Sequence, residues 1–511
     1  MKNIQKKIIV LLILVVPFAS CNDNYDEINT DASRPGSVNP LFQLNQALVS
    51  VSPNRENVDY EYGIVRQIVT PFRGVLEGAN TNSRNPGSNG RNWGTFYPNV
   101  IKNLVDGISA LEGTSDRPNT LSALRIFKAY SFMVITDTYG DVPYSQAGQG
   151  FTAQVEFPSY DSQEDIYDDI ISELQSASAA LTASGDDISP EGLFNGDITK
   201  WKRFGNSLLL RAAMRLSKVD AATAQSVVSG ISQADLMQSN DDNAFVPHTA
   251  AYANGLGETF NSLEKSNYYL DKYFVDHLQA ENDPRLEKIA VRYVGAATGA
   301  DQTLDIADSD PSIQYGLEVG FDQGGAATYI ADNTLPLASL YDFSQVNRST
   351  VGSQTAPGYI VTYAQTMLLL AEARERGWAT GDPAEAYEAG IRAHMEQFSQ
   401  YPGGSAVTSG DIDAYITAHT YAGSTAGIEQ INAEYWVASF LVGYEAWANF
   451  RRSDFPNITP NPLNGELNGQ EDFIRRMVYP DGERTVNLDN LNAAITAQGA
   501  DELYTRVWWD N

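Results

Sequence analysis

Thr136-Asp137-Thr138-Tyr139-Gly140-Asp141-Val142-Pro143-Tyr144 closes a helix that opens near Leu121, and the stretch from Leu121 to Ala147 decides how the rest of the chain is read. Leu124, Phe127, Ser131 and Val134 recur at helical spacing, with Ile126, Tyr130, Met133 and Asp137 on the adjoining row. Such a wide apolar arc predicts a helix buried among other helices. Gly140 can take the left-handed conformation that ends a helix, and Pro143 has neither the N–H nor the φ freedom to continue it. Asp137 and Asp141 have the chemistry of an acid–base pair or a cation site, but a helix end and turn also use Asp for local hydrogen bonds. The local role is the expectation.

Helical hairpins extend outward from this stretch. Trp93 to Leu111 carries Tyr97, Val100, Leu104 and Ile108 at helical spacing and pairs with the opening helix across Gly113 to Pro118. Ser162 to Leu181 repeats the pattern behind an acidic first turn, and its partner runs from Thr199 to Lys218, where Arg203, Arg211 and Arg215 lie on or beside one face. Helical pattern returns at Ile360 to Trp378. A capped helix follows from Asp382-Pro383 to Phe398, then a long helix from Ile428 to Phe450. Between Pro247 and Pro357 the composition turns to Gly, Asn, Tyr and Asp, with one clear helix near Ser266 to Leu278. Irregular segments of this length usually carry function. The expected fold is mostly α, with tetratricopeptide-like hairpins forming a scaffold over about 93–218 and 360–450 and a loop-rich binding insert over about 247–357.

Charge and targeting narrow the function. The 511 residues hold 64 acidic against 34 basic side chains, a net charge of −30, so a polyanion is repelled and nucleic acid is excluded as a partner. Lys2, Lys6 and Lys7 precede an apolar run from Ile8 to Val16 that is well short of the ~20 residues needed to cross a bilayer. Residues 1–20 therefore read as a signal peptide, and Cys21, the only cysteine, as a lipidated first residue of the mature chain. Residues 21–40 form an acidic tether and 41–511 a single domain. A lone cysteine permits no internal disulfide.

Several stretches taken in order resemble the SusD/RagB family of nutrient-binding outer-membrane lipoproteins of Bacteroidetes. They are Cys21 with its tether, Glu27-Ile28-Asn29-Thr30-Asp31, Thr136 to Tyr144, Trp201-Lys202-Arg203-Phe204-Gly205-Asn206-Ser207-Leu208-Leu209-Leu210-Arg211, Asn282-Asp283-Pro284-Arg285-Leu286, Gly443-Tyr444-Glu445-Ala446-Trp447 with Arg451-Arg452, and Arg506-Val507-Trp508-Trp509. Asp31-Ala32-Ser33 stands where the family often has Asp-Pro-Asn. The resemblance implies a cell-surface, lipid-anchored protein without catalytic activity, which captures oligo- or polysaccharide as the lid of a SusC-like TonB-dependent transporter. A RagB-like member would bind peptide instead.

Sugar binding needs flat apolar faces and hydrogen-bonding side chains around them. Trp201, Trp378, Trp436, Trp447, Trp508 and Trp509 lie in scaffold-like stretches and are expected to pack in the core. Trp93 follows the polar, glycine-rich loop Asn80 to Asn92. By resemblance to the starch-binding prototype, Trp93, Arg91, Arg84 and Asn82 are the expected ligand contacts, although Trp93 serves equally as a hydrophobic staple for its own helix. Tyr252, Tyr315, Tyr329 and Tyr341 in the insert are further candidates. Asp186-Asp187, Asp241-Asp242 and the group Asp301, Asp305, Asp308 and Asp310 offer the carboxylate pair of a glycoside hydrolase, but so acidic a chain produces such pairs by chance. His248, His277, His394 and His419 lack ligand spacing for zinc. Asp308-Ser309-Asp310 opens like a calcium loop that Pro311 interrupts, which leaves a structural Ca2+ as an open expectation and no other cofactor.

Overall fold

Helix α1 (Pro40–Ser50) is followed by α2 (Lys102–Leu111), α3 (Pro118–Tyr139), α4 (Gln163–Ala180) and α5 (Ile198–Arg215). After the insert come α8 (Tyr363–Glu375), α9 (Pro383–Gln397), α10 (Ser424–Ala438) and α11 (Gly443–Ser453); the insert itself holds α6 (Lys272–Ala280) and α7 (Gln323–Asp332). This computed structural model describes residues 38–53, 58–72, 77–114 and 116–511. The signal peptide, Cys21 and the tether lie outside the described residues.

Four of the long helices, α4, α5, α8 and α9, start at a side-chain cap. The Ser162 hydroxyl accepts from Asp165 N at 3.1 Å, and Asp197 accepts from Thr199 N and Lys200 N at 2.9 and 3.1 Å. Thr362 and Gln365 form a reciprocal capping box, and Asp382 caps a helix whose first residue is Pro383. Helices α2 to α5 pack consecutively, α5 meets α8, and α8 is flanked by α9 and α10, so the scaffold is a row of antiparallel hairpins, tetratricopeptide-like in architecture. Gly205 allows α5 to approach α4 closely, because a Cβ there would stand 2.2 Å from Ser178 Oγ. From Ser122 to Tyr139 only Arg125 and Lys128 of α3 escape burial, as its apolar arc requires.

The structure corrects several expected boundaries. The helix expected over Trp93 to Leu111 contains a wide π turn at Tyr97–Ile101: Pro98 has no N–H to donate, so the ladder shifts and Lys102 N bonds Tyr97 O. The span Ile428 to Phe450 is two helices, broken where Leu441 takes φ +63°. The break lets Gly443 sit against Tyr62 and Glu61, where a Cβ would come within 2.9 Å of the Tyr62 ring. Ile360 belongs to a strand and α8 starts only at Tyr363; α6 starts at Lys272 rather than Ser266, because Asp271 is its cap. The insert also holds a second full helix, α7, beyond the one expected.

Strands are short. β1 (Ile68–Val69) pairs antiparallel with β3 (Tyr269–Leu270), β2 (Ala244–Val246) with β7 (Gly358–Val361), and β4 (Ala290–Tyr293) lies between β5 (Ala307–Asp308) and β6 (Gln345–Val346). The β1–β3 pair ties the insert to the scaffold. Beside it the Arg66 guanidinium bonds buried Asp271 at 2.7 Å, Thr459 O at 2.9 Å and the Glu318 carboxylate. The insert has its own small core of Val69, Tyr269, Leu317, Val319, Ala326, Leu337 and Phe343.

Candidate ligand-binding face

The opening motif serves the scaffold. Asp137 is buried and accepts from Tyr167 Oη at 2.6 Å, Trp509 Nε1 at 2.8 Å and Arg215 Nε at 3.2 Å. Arg215 also meets Glu445 at 2.7 Å, and Arg451 donates to the Asp137 carbonyl at 2.7 Å. Burial pushes the Asp137 carboxyl above its ordinary range, against the pull of Arg215. Asp141 receives Gln163 N at 2.9 Å while Tyr479 Oη donates to its carbonyl at 2.6 Å. These carboxylates hold distant helices together.

The remaining motifs interlock in the same interior. Arg285 binds Asp283 and Glu434, at 2.9 and 2.7 Å, and Arg452 binds Glu372 at 2.6 Å. Trp201, Trp436, Trp447 and Trp509 are fully buried, and Trp378 and Trp508 pack partly against the core. Asp186 is spent on the start of α3, accepting Asn119 N at 2.7 Å, and Asp242 on Arg203 at 3.1 Å. Asp301, Asp308 and Asp310 bond turns, Asp310 receiving Ser312 N at 2.9 Å. Among the described residues no three His, Cys, Asp or Glu side chains are grouped to hold a metal ion.

Half-buried rings gather on the insert. Around its core stand Phe72, Tyr315, Phe321 and Tyr329, with Phe321 and Tyr329 5.2 Å apart at 35° and Phe72 6.4 Å from Tyr341 at 40°. Arg292, held by Asp342 at 2.8 Å, lies 5.2 Å over the Tyr315 ring. Burial raises the Tyr329 hydroxyl above its ordinary range, so it stays a neutral donor and acceptor at pH 7. Rings fixed from behind with an open side can lie against the C–H face of a sugar, and the tyrosine hydroxyls supply hydrogen bonds at the rim, while buried Arg292 is spent on Asp342, Ile313 O and Pro336 O and serves only to brace Tyr315.

The loop carrying Asn82, Arg84, Arg91 and Trp93 starts beside this group. Asn80 donates to Thr70 O at 3.1 Å and Phe321 O at 3.2 Å and accepts from Gly320 N at 2.6 Å, fixing the loop to the insert. Asn82, at φ +50°, donates to Leu463 O at 2.9 Å; Gly465 packs so close that a Cβ would stand 2.1 Å from Thr81 O. Arg84 pairs with Glu502, and its backbone N–H meets Glu466 at 2.7 Å. With Tyr479 and Arg484 it lines a cavity of about 280 Å³. Trp93 is half-buried among four tyrosines, its centroid 4.7 Å from Tyr97, 5.3 Å from Tyr139 and 6.1 Å from both Tyr160 and Tyr479. Arg91 opens the same short helix, Arg91–Phe96. Tyr252 lies elsewhere, against α1, stacked 5.1 Å from His248 and donating to Val49 O.

Thus Tyr315 and Tyr329 pack around one small core, Tyr341 packs on a neighbouring cluster and meets the group through Phe72, Asn82 adjoins them through Asn80, and Arg84, Arg91 and Trp93 follow along the loop. Phe72 and Phe321 complete the group and were not anticipated. Phe72 joins it only through the β1–β3 pairing of residues about two hundred positions apart, which leaves no local pattern; Phe321 stands alone in a glycine-rich stretch.

A helical scaffold presenting an aromatic-edged insert, with Asp137, Asp141, Asp186 and Asp242 bonded within the fold, has the form of a binding protein. The chain belongs to the SusD-like family, whose sequence profile, described as starch-binding and associating with the outer membrane, matches residues 33–480. SusD-like proteins bind ligands and are not enzymes. Similar solved structures include a chitin-binding protein and a SusD-like protein of Bacteroidetes AC2a. Each is 28% identical with a TM-score of 0.80, over 93% of this chain and 100% of the other. A chitin-binding SusD homologue from Flavobacterium johnsoniae is 23% identical, with a TM-score of 0.73 over 92% of this chain and 97% of its own, and shares the fold. No curated protein sequence matches. Among the described residues no helix is long and apolar enough to cross a membrane.

Proposed function

We propose that this chain is a cell-surface glycan-binding lipoprotein, anchored through lipidated Cys21, that captures oligo- or polysaccharide and delivers it to a SusC-like TonB-dependent outer-membrane transporter. The observation that carries the reading is the group of half-buried rings Phe72, Tyr315, Phe321 and Tyr329, backed by the small core of the insert, with Tyr341 beside Phe72. Rings fixed in this way lose little side-chain freedom when a ligand lies on them. The net charge of −30 favours an uncharged polymer over an acidic one. Chitin, named for a relative 28% identical, is the first glycan to test.

The Asn82–Trp93 loop forms the second wall of the site in this reading. Trp93 offers its free edge, and Arg84 and Arg91 bond sugar hydroxyls. Titration of the mature chain with chitohexaose, with maltohexaose and with a peptide mixture in parallel tests the proposal. Binding of an oligosaccharide, weakened by Trp93→Ala by about 1–2 kcal/mol, is expected. Binding of peptides alone would transfer the protein to the RagB-like branch.

A further inference from the structure

A second cleft, built from no residue of the insert face or of the Asn82–Trp93 loop, opens on the scaffold where the start of α5 meets β2 and the end of α9. Its volume is about 510 Å³, within the range of small-ligand sites. Two aromatic rings stand in its lining. On β2, Ala244 and Val246 are buried and Phe245 between them points to the other side, its ring braced edge-on by Tyr359 at 5.6 Å. Phe194 is braced by Trp201 at 5.7 Å and Phe204 at 5.9 Å. Both rings are half-buried, fixed from one side and facing the opening.

The polar part of the cleft is equally fixed. Asn243 donates to Gln400 Oε1 at 3.0 Å, Gln400 to Asn240 O at 2.9 Å, and Asn240 to Ala393 O at 2.8 Å. The wall carrying Phe194 is held by Glu191, whose carboxylate accepts Leu193 N at 2.6 Å, Phe194 N at 2.7 Å and Gly196 N at 2.9 Å. Three groups keep hydrogen-bonding capacity. The exposed Asn195 amide and Asp241 carboxylate have no side-chain partner among the described residues, and Lys200, which donates to Asp241 O at 2.6 Å, has two hydrogens left. Donors and acceptors of both kinds beside two flat apolar faces match an uncharged pyranose, whose faces are C–H and whose edge carries hydroxyls.

We propose that this cleft is a second glycan subsite, which takes a pyranose unit of the same uncharged polysaccharide and gives the protein two points of hold on one polymer. The proposal rests on the glycan-binding reading above. Two linked contacts raise the retention of a long chain well beyond either alone, which suits capture of a polymer before its transfer.

The test is hydrogen exchange of the mature chain with and without chitohexaose and maltohexaose, on wild type, Phe245→Ala, Asn195→Gly and Tyr329→Ala. Asn195 has φ +51°, so glycine keeps its backbone and serves if Phe245→Ala folds poorly. Protection of 191–200 and 240–247 by an oligosaccharide is expected. It should persist in Tyr329→Ala, and half-maximal protection should need at least tenfold more ligand in Phe245→Ala and threefold more in Asn195→Gly. Protection confined to the insert overturns the second subsite and leaves the glycan-binding reading standing. Protection confined to the cleft overturns the insert as the binding face, and no protection anywhere overturns both.

Discussion

Replacing Gly140 by alanine should destabilise the protein by about 3–5 kcal/mol. Gly140 sits at φ +81°, ψ −122°, a conformation that L side chains rarely adopt, and holding alanine there costs roughly 1–3 kcal/mol. A Cβ would also stand 1.7 Å from Gln498 Oε1, so the glutamine must leave. Its departure breaks the bonds to Asp141 N at 2.5 Å, Tyr139 O at 3.2 Å and Tyr479 Oη at 3.1 Å, together about 2 kcal/mol. Urea unfolding at pH 7 measures the sum. Gln498→Ala alone should cost about 2 kcal/mol, and in that background Gly140→Ala should cost only its backbone strain, so the double mutant separates the two causes. A loss below 1 kcal/mol for Gly140→Ala would refute the argument that this turn is a fixed joint between α3 and the C-terminal segment.

Further expectations concern the interior and its charges. Asp141→Ala should lower stability by about 1–3 kcal/mol, because it leaves Gln163 N unpaired, with ligand affinity unchanged in protein that remains folded; normal folding with lost binding would contradict the structural role. Burial pushes the Glu372 carboxyl up, but Arg452 and then Arg376 hold it at about 2 against 4.5 ordinarily. Its contribution, about 3 kcal/mol, is therefore complete above pH 4.5 and lost as the pH falls toward 2; comparing the urea midpoints of wild type and Glu372→Gln at pH 6 and pH 3 reads it directly. Asp271→Ala should leave Arg66 buried without its main partner and loosen the insert, seen as faster proteolysis at 290–345 before global unfolding.

The scaffold was legible in the sequence where periodicity and punctuation coincide. Ser162, Asp197 and Asp382 each stand before an apolar stripe and cap a helix close to where it is expected, whereas Thr362 caps a helix that starts at Tyr363 instead of the expected Ile360. The expected continuous helix over Trp93 to Leu111 passed over Pro98, although a proline inside a helical pattern forces the ladder to adjust. The break at Leu441 carried no such signal. Ser439 to Val442 reads as a continuation of the helix, and the left-handed residue is fixed by packing of Gly443 on Tyr62, far off in sequence. The face of the insert was half legible. Its tyrosines stood out as rings in a polar stretch, whereas their grouping depends on β1–β3 pairing that joins residues 68–69 to 269–270. The surroundings of Trp93 were equally out of reach, because Tyr160 and Tyr479 are far from it and from each other in the sequence.

The most direct measurement is calorimetric titration of the mature chain with chitohexaose and maltohexaose, comparing wild type with Phe321→Ala/Tyr329→Ala at matched folded fractions. An oligosaccharide that binds wild type and binds the double variant at least tenfold more weakly, about 1.4 kcal/mol, is the result predicted for rings that stack on sugar. Equal affinity in the two proteins would contradict the insert as the glycan-binding face, and no binding of either oligosaccharide by wild type would contradict the glycan itself.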